Sequence, residues 1–374
     1  MATQGLVVYA FSGDPITYGH LDLIKRAQQL FPKIIVAIGT NPDKNYTFTH
    51  RERTRLAQQA LAHLRDVTVE GFEGLIVDFA YEQGAQAIIK GVRDPQDFQY
   101  EQTLNSISQS QHHGIETVIL FAKPELAHVS SSAVKALQTS QGLVHDYVPL
   151  NVKVALEKKL SHQVLIGITG EIASGKSYVA EQLVIWGQAQ GQIIHNIELD
   201  HLAHQIQSER KEPQYQAIRS EIVKNFGKSV QNNDGTINRK ALGEKVFADP
   251  QKLALLNQIM WPPVLVRLRR ELRNKPGIVF INSALLAEAD LMPVCNNRVI
   301  VISSTQSAQK KRLQERGFSD EQINRRLKSQ FSTKKKLDLI QQSINQYHFG
   351  TIWQVGDQTD LTQFAKTFFK EITS

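Results

Sequence analysis

Cysteine occurs once in the 374 residues, at Cys295, so no intramolecular disulfide can form and the chain reads as cytoplasmic. A packed small hydrophobe is the expected role of that side chain. No apolar run approaches the roughly 20 residues needed to cross a bilayer. The early run "LVVYAF" ends at a Ser-Gly-Asp-Pro turn, not at a secretory cleavage region, so neither a membrane role nor export is expected. Low-complexity tracts, fixed-period repeats and Gly/Ser/Pro linkers are also missing. With 41% hydrophobic and 21% charged residues the composition is that of a globular chain, longer than one hydrophobic core serves efficiently. Two domains are therefore expected.

The chain is basic, with a net charge of +7, which points to anionic partners. Residues 310–336 hold ten Lys or Arg against three acids, so a large part of the excess sits in one C-terminal segment. That segment reads either as a solvated helix face or as a phosphate clamp.

Strand and helix patterns alternate from the start. "GLVVYAFS" reads as a buried strand, "LDLIKRAQQLF" as an amphipathic helix and "KIIVAIGT" as a second strand. The next helix carries a capping box, Thr49 with Glu52, and an apolar stripe through Leu56, Ala60 and Leu64. Strand "DVTVEGF", a helix through "LIVDFAYEQ" and strands "QAIIKGV" and "ETVILFA" follow, then the loop "KPELAHVSSSAVKAL" and a helix with Val152, Leu156 and Leu160 on one stripe. A boundary falls near Ser161, giving domains 1–160 and 161–374. The second opens on the strand "QVLIGIT" and has a helix-rich middle to about 273. It returns through "IVFINSA" and "RVIVIS", and basic helices close it. The fold class is α/β, with two parallel sheets each covered by helices on both faces.

"GEIASGKS" satisfies G-x-x-x-x-G-K-[ST] between an apolar strand and a helix. In such a loop the backbone N–H groups of Gly170, Glu171, Ile172, Ala173, Ser174 and Gly175 turn onto phosphate oxygens. Lys176 neutralises β- and γ-phosphate charge, and Ser177 can ligate Mg²⁺ accompanying ATP. In the first domain Thr17-x-Gly19-His20 sits at a strand-to-helix junction, the place where an α/β sheet binds phosphates.

The segment from about 163 to 340 resembles the dephospho-coenzyme A kinases, through the phosphate loop, "ELDHLAH" and "FGKSVQNNDGTINRKALGEKVFADPQKLALLNQIMWPPV". The resemblance implies that Asp200 is the base beside the acceptor hydroxyl and that Arg312, Arg316 and Arg326 form a lid. Asp200 can also be read as a helix N-cap at a strand end. Departures from the family pattern are Tyr178, Glu198, Trp261 and "NSALLAE".

Nearly all of residues 6–160 is similar to bacterial phosphopantetheine adenylyltransferases, through "DPITYGHLDLIKRA", Lys44, "TFTHRERTRLAQQALAHL", "KGVRDPQDFQYEQTLN" and "HVSSSAVK". By that resemblance His20 donates to the α-phosphate of ATP. Lys44 and Arg93 hold α-phosphate and acceptor-phosphate charge, and Ser12, Thr17, Gly19 and Lys90 join them at ATP. Glu101 contacts the ATP ribose, and Ser130, Ser131 and Ser132 bind the β- and γ-phosphates. The serines are equally well placed to cap a helix. Lys44 and Lys90, with Leu75 and Ile76, would meet 4′-phosphopantetheine, although the residues alone favour ordinary core for Leu75 and Ile76. Lys90 replaces an arginine, keeping the charge without the bidentate fork. Gly13 stands where the family has Phe, and Phe11 where it has Gly.

Together the resemblances imply a Rossmann-like nucleotidylyltransferase fold joined to a P-loop kinase fold. The implied enzyme performs the last two steps of coenzyme A synthesis, with ATP, 4′-phosphopantetheine and dephospho-coenzyme A as small-molecule substrates. No nucleic-acid or membrane partner is expected, and the first family's habit of forming hexamers implies a homo-oligomer built through the N-terminal domain. Three alternatives stay open: an adenylyltransferase with a sensing or impaired kinase domain, a nucleotidylyltransferase of another acceptor, and a nucleic-acid-binding module on the basic stretch.

Overall fold

The computed structural model describes residues 5–111, 114–246 and 249–373. The chain divides into two compact units, Met1–Leu160 and Ser161–Ser374.

In the first unit the elements run β1 (Leu6–Phe11), α1 (Tyr18–Ala27), β2 (Lys33–Ile38), α2 (His50–Leu61), β3 (Val67–Gly71), α3 (Ile76–Glu82), β4 (Ala87–Val92), α4 (Pro95–Gln109), β5 (Glu116–Phe121), α5 (Ser131–Thr139) and α6 (Leu150–Leu156). All strand pairings are parallel, in the order β3-β2-β1-β4-β5. Strand alternation sends Val7 and Tyr9 into one core with α1 and α2, and Leu6 and Val8 into a second core with α3. Both faces are buried, which is why the strands read as continuous apolar runs. The strand order reverses between β1 and β4, and the crevice at their C-terminal ends is where such a sheet takes a ligand.

Two local expectations need correcting. "KPELAHVSSSAVKAL" is not all loop, because Ser131 opens α5, capped by Ser130. The final helix is shorter than its stripe suggests: α6 ends at Leu156 and passes into a wider π turn over Glu157–Ser161.

The second unit runs β6 (Gln163–Gly170), α7 (Lys176–Ala189), β7 (Ile194–Glu198), α8 (Leu199–Ser208), α9 (Pro213–Phe226), α10 (Arg239–Val246), α11 (Pro250–Leu272), β8 (Gly277–Asn282), β9 (Arg298–Ile302), α12 (Gln306–Glu315), α13 (Asp320–Ser329), α14 (Thr333–Tyr347), β10 (Thr351–Val355) and α15 (Leu361–Thr373). Its parallel order is β10-β9-β6-β8-β7. Ile166, Ile168, Phe280 and Ile300 form one core with α7 and α15. Basic helices do not close the sheet, since β10 adds to its edge beyond them. Cys295 is buried, as a packed small hydrophobe would be.

Candidate active sites

In the N-terminal unit the loop from β1 to α1 is seated by Asp14. Its buried carboxylate accepts the backbone N–H groups of Thr47 (3.0 Å) and Phe48 (2.9 Å), and the Lys135 ammonium of α5 (2.6 Å). Ser131 donates to the Pro15 carbonyl at 2.8 Å, so α5 is fastened to the same loop. Arg53, buried in α2, donates to the carbonyls of Ser12 and Gly39 and to the Thr40 hydroxyl, and stacks over Tyr46 at 4.0 Å. The loop carrying Lys44 is thereby tied to the loop carrying Ser12. Sequence reading missed Asp14 and Arg53, because their partners lie far away along the chain.

The first turn of α1 fixes the tautomer of His20. Backbone N–H of Thr17 donates to His20 Nδ1 at 3.0 Å, and the Thr17 hydroxyl lies 2.9 Å from the same nitrogen. An N–H can only donate, so Nδ1 is an acceptor and the neutral ring carries its proton on Nε2. Burial, with the cations Arg93 and Lys44, pushes the imidazole down to about 3. His20 is therefore a neutral Nε2–H donor at pH 7.

The other predicted residues gather at the C-terminal ends of the strands, several already paired. Lys90 and Glu101 form an ion pair at 3.0 Å. Arg93 forks onto Asp97, Nε to Oδ2 at 2.7 Å and Nη2 to Oδ1 at 3.1 Å. The Ser130 hydroxyl is used as the α5 cap, accepting from Ala133 N–H, while Ser132 is exposed in the first turn. Lys44 is exposed, Ser12 is half-buried, and Gly19 lies in the first turn of α1. Leu75 corrects the core reading: it is 50% exposed at the N-cap of α3, beyond the end of β3. Ile76 is half-buried against the α3 core.

In the C-terminal unit Gly170 approaches β9 so closely that a β-carbon would lie 2.2 Å from the Ile302 carbonyl oxygen, and Gly175 has φ +98 at the N-cap of α7. Only glycine suits either place. Ile172, Ala173 and Ser174 complete the turn, and Ser177 stands exposed in the first turn of the helix. Lys176 donates to its own loop, to the carbonyls of Gly170 (3.2 Å) and Glu171 (2.9 Å), and burial lowers its ammonium to about 8.

Asp200 is not the helix N-cap; Glu198 occupies that position, and Asp200 lies in the first turn of α8. The residue is exposed overall, yet burial of its carboxyl raises its pKa, against the pull of Lys176. Ser283, in the altered "NSALLAE" segment, also pulls against burial, toward the charged carboxylate. Among the basic residues, Arg312 reaches the phosphate loop, with Nη1 donating to the Ala173 carbonyl at 2.9 Å. Arg316 is exposed at the end of α12, its charge felt at Lys176. Arg326 packs over Phe318 at 4.3 Å beside α10.

The P-loop residue Glu171 also anchors the basic helices. It accepts from Gln309 (2.9 Å) and from the N–H and hydroxyl of Thr333, while Gln330 accepts from Ile172 N–H at 2.8 Å. Burial alone would raise the Glu171 carboxyl; these hydrogen bonds hold it below its ordinary value. Lys336 corrects the solvated-face reading of this stretch at its end, being wholly buried.

Residues 12–137 match the cytidylyltransferase-like family model and residues 164–347 the dephospho-CoA kinase model. Phosphopantetheine adenylyltransferase of Haemophilus ducreyi is 40% identical over 157 residues, 42% of this chain and 98% of that protein. The Desulfitobacterium hafniense phosphopantetheine adenylyltransferase is 38% identical over 159 residues, again 42% of this chain and 98% of that protein. A solved dephospho-CoA kinase from Campylobacter jejuni is 21% identical with a TM-score of 0.36, covering 56% of this chain and 97% of that one.

Proposed function

The chain belongs, through its N-terminal unit, to the phosphopantetheine adenylyltransferase family, and we propose that its two sites act on successive substrates, the first making the acceptor that the second phosphorylates. The C-terminal unit is a dephospho-CoA kinase domain, so the fusion carries the families of the last two steps of coenzyme A synthesis.

In the first step a phosphate oxygen of 4′-phosphopantetheine attacks the α-phosphorus of ATP, the bond to the bridging oxygen breaks, and pyrophosphate leaves. The observation that carries the role of His20 is the Thr17 N–H on its Nδ1, which leaves Nε2–H to donate to the α-phosphate. Lys44 and Arg93 balance charge on the two phosphates. Arg93 exchanges one arm of its Asp97 fork for substrate, and Lys90 keeps Glu101 placed for the ribose. The exposed side chain of Leu75 supplies apolar contact for the pantetheine arm.

In the second step the ribose 3′-hydroxyl of dephospho-coenzyme A gives its proton to Asp200 and attacks the γ-phosphorus, releasing ADP. A raised carboxyl suits that base. Lys176 turns from its own loop carbonyls to the phosphates, and Arg312 and Arg316 close over them, with Arg326 on the acceptor side. Mg²⁺ uses few protein oxygens beside substrate phosphates. Exposed at the first turn of α7, the Ser177 hydroxyl suits that role. The ion would neutralise charge between the β- and γ-phosphates.

The N-terminal unit offers a face for self-association. None of the residues of α4 is buried, Tyr100 and Ile107 are exposed on it, and Phe121 is exposed on the edge strand β5. We assign that face to a second copy, to be checked by sedimentation of the chain and of Phe121→Glu. No helix among the described residues is long and apolar enough to cross a membrane. A cytoplasmic location, where ATP would be met, goes with this reading.

The test is to supply 4′-phosphopantetheine, ATP and Mg²⁺ and follow the products in time. Coenzyme A appearing after a transient of dephospho-coenzyme A is the expected result. Accumulation of dephospho-coenzyme A alone would remove the kinase reading, and absence of pyrophosphate would remove the adenylyltransferase reading.

A further inference from the structure

The link after α13 together with the first turn of α14, residues 330–336, is gripped from two sides. On one side stands the phosphate loop, where Glu171 holds Thr333 and Ile172 holds Gln330. On the other stands the turn after β8. The Lys336 ammonium donates to the Ala284 carbonyl at 2.6 Å and to Glu288 Oε1, and the same oxygen accepts Phe331 N–H at 3.3 Å. Lys336 is 0% exposed and the Glu288 side chain 10%. The second Glu288 oxygen, also buried, has no hydrogen-bond partner among the described residues, so its charge rests on Lys336.

A buried ion pair is a poor way to gain stability, since apolar side chains of similar volume commonly do as well or better. Its value lies in what it orients. Ala284 follows Asn282 and Ser283, and Asn282 ends β8 in register with Glu198, two residues before Asp200, while Thr333 starts the turn of α14 that presents Lys336. The charge of Lys336 is felt at both Lys176 and Glu171, so the pair lies close behind the phosphate loop.

We propose that Lys336 and Glu288 are positioning residues for phosphoryl transfer, clamping the Ser283 turn to the base of the lid so that Asp200 meets the acceptor hydroxyl in register. The inference rests on the kinase reading of this unit. It assigns the pair an effect on the chemical step, not on ATP capture, which belongs to Gly170–Ser177.

The experiment compares the full chain with Lys336→Met, Glu288→Gln and the double variant Lys336→Met/Glu288→Met, measuring phosphorylation of supplied dephospho-coenzyme A and thermal unfolding. Misplacement by about 1 Å can cost roughly 100-fold in rate, so a kcat loss of about 10- to 100-fold with KM for ATP held within about twofold is expected. Lys336→Met alone strands a buried carboxylate and is expected to unfold more readily. The apolar double variant recovers that stability and stays slow. A double variant of wild-type stability with kcat within about twofold of wild type would overturn the proposal, as would a loss confined to KM for ATP. Wild-type chain unable to phosphorylate dephospho-coenzyme A would instead remove the kinase reading, and this role with it.

Discussion

The imidazole of His20 lies on the ring of Phe11, their centroids 4.2 Å apart and their planes inclined by 15°. Phe11 ends β1 and His20 sits in the first turn of α1, so the stack spans the loop that carries Asp14. A β-carbon on Gly13, whose φ is +61, would come within 3.3 Å of the Phe11 ring. The aromatic side chain at 11 and the bare glycine at 13 therefore belong together. The ring covers one face of His20 and contributes to the burial that keeps it neutral.

Replacing Phe11 by Ala exposes that face. The wild-type imidazole, depressed to about 3, protonates only in strong acid, so adenylyl transfer has no acid limb from His20 near 6.5. In Phe11→Ala the pKa rises by about one unit or more, because burial is the largest cause of its depression. The active, neutral form is then lost earlier as pH falls. NMR titration of the His20 ring from about pH 2.5 to 7 in both proteins checks this; superimposable titrations would show that the ring does not keep His20 neutral.

Asp14→Ala tests how much of the first site hangs on one carboxylate. It removes the acceptor of two backbone N–H groups and leaves Lys135 without its partner, costing about 3 kcal/mol. Denaturant unfolding of the N-terminal unit reads the loss. Because the loop places Ser12, Thr17 and His20 together, adenylyl transfer falls further than stability accounts for, even at temperatures where the variant is folded.

How far the sequence exposed these sites depends on how local each interaction is. The loop Gly170–Ser177 and the junction Thr17–His20 were legible because contiguous residues at a strand-to-helix turn encode them. Alternating strands and helices gave the two parallel sheets for the same reason. Asp14 was invisible because it bonds to residues more than 30 positions away and to Lys135 beyond 100. Arg53 looked like one charge among several in "THRER", yet it is buried against Ser12 and Gly39. Lys336 sat in a run of three lysines, and only the fold distinguishes the buried one from its exposed neighbours Lys334 and Lys335. Strand β10 is five residues of mixed burial after a polar helix, too weak a period to read.

Leu75 offers a substitution that separates binding from folding. At 50% exposure its replacement by Asp changes stability within about 0.5 kcal/mol. If the side chain meets the pantetheine arm, KM for 4′-phosphopantetheine rises several-fold, about 10-fold for a lost apolar contact of roughly 1.4 kcal/mol, with KM for ATP unchanged. Equal KM values for both proteins would return Leu75 to the surface without a role.

Lys176 and His20 stand in different units, and the chemistry assigned to each involves no atom of the other. In Lys176→Ala the cation now resting on the Gly170 and Glu171 carbonyls is gone, and with it the charge that would meet the β- and γ-phosphates. Kinase turnover falls by about 100-fold or more, the loss seen when a preorganised donor is removed from a transition state. Adenylyl transfer is unaffected. In His20→Ala the pattern reverses, since the Nε2–H donor proposed for the α-phosphate is gone while the glycine loop stays intact. Assaying each half-reaction with its own supplied substrate measures both. A loss of adenylyl transfer in Lys176→Ala, or of kinase turnover in His20→Ala, would mean that the two centres are coupled.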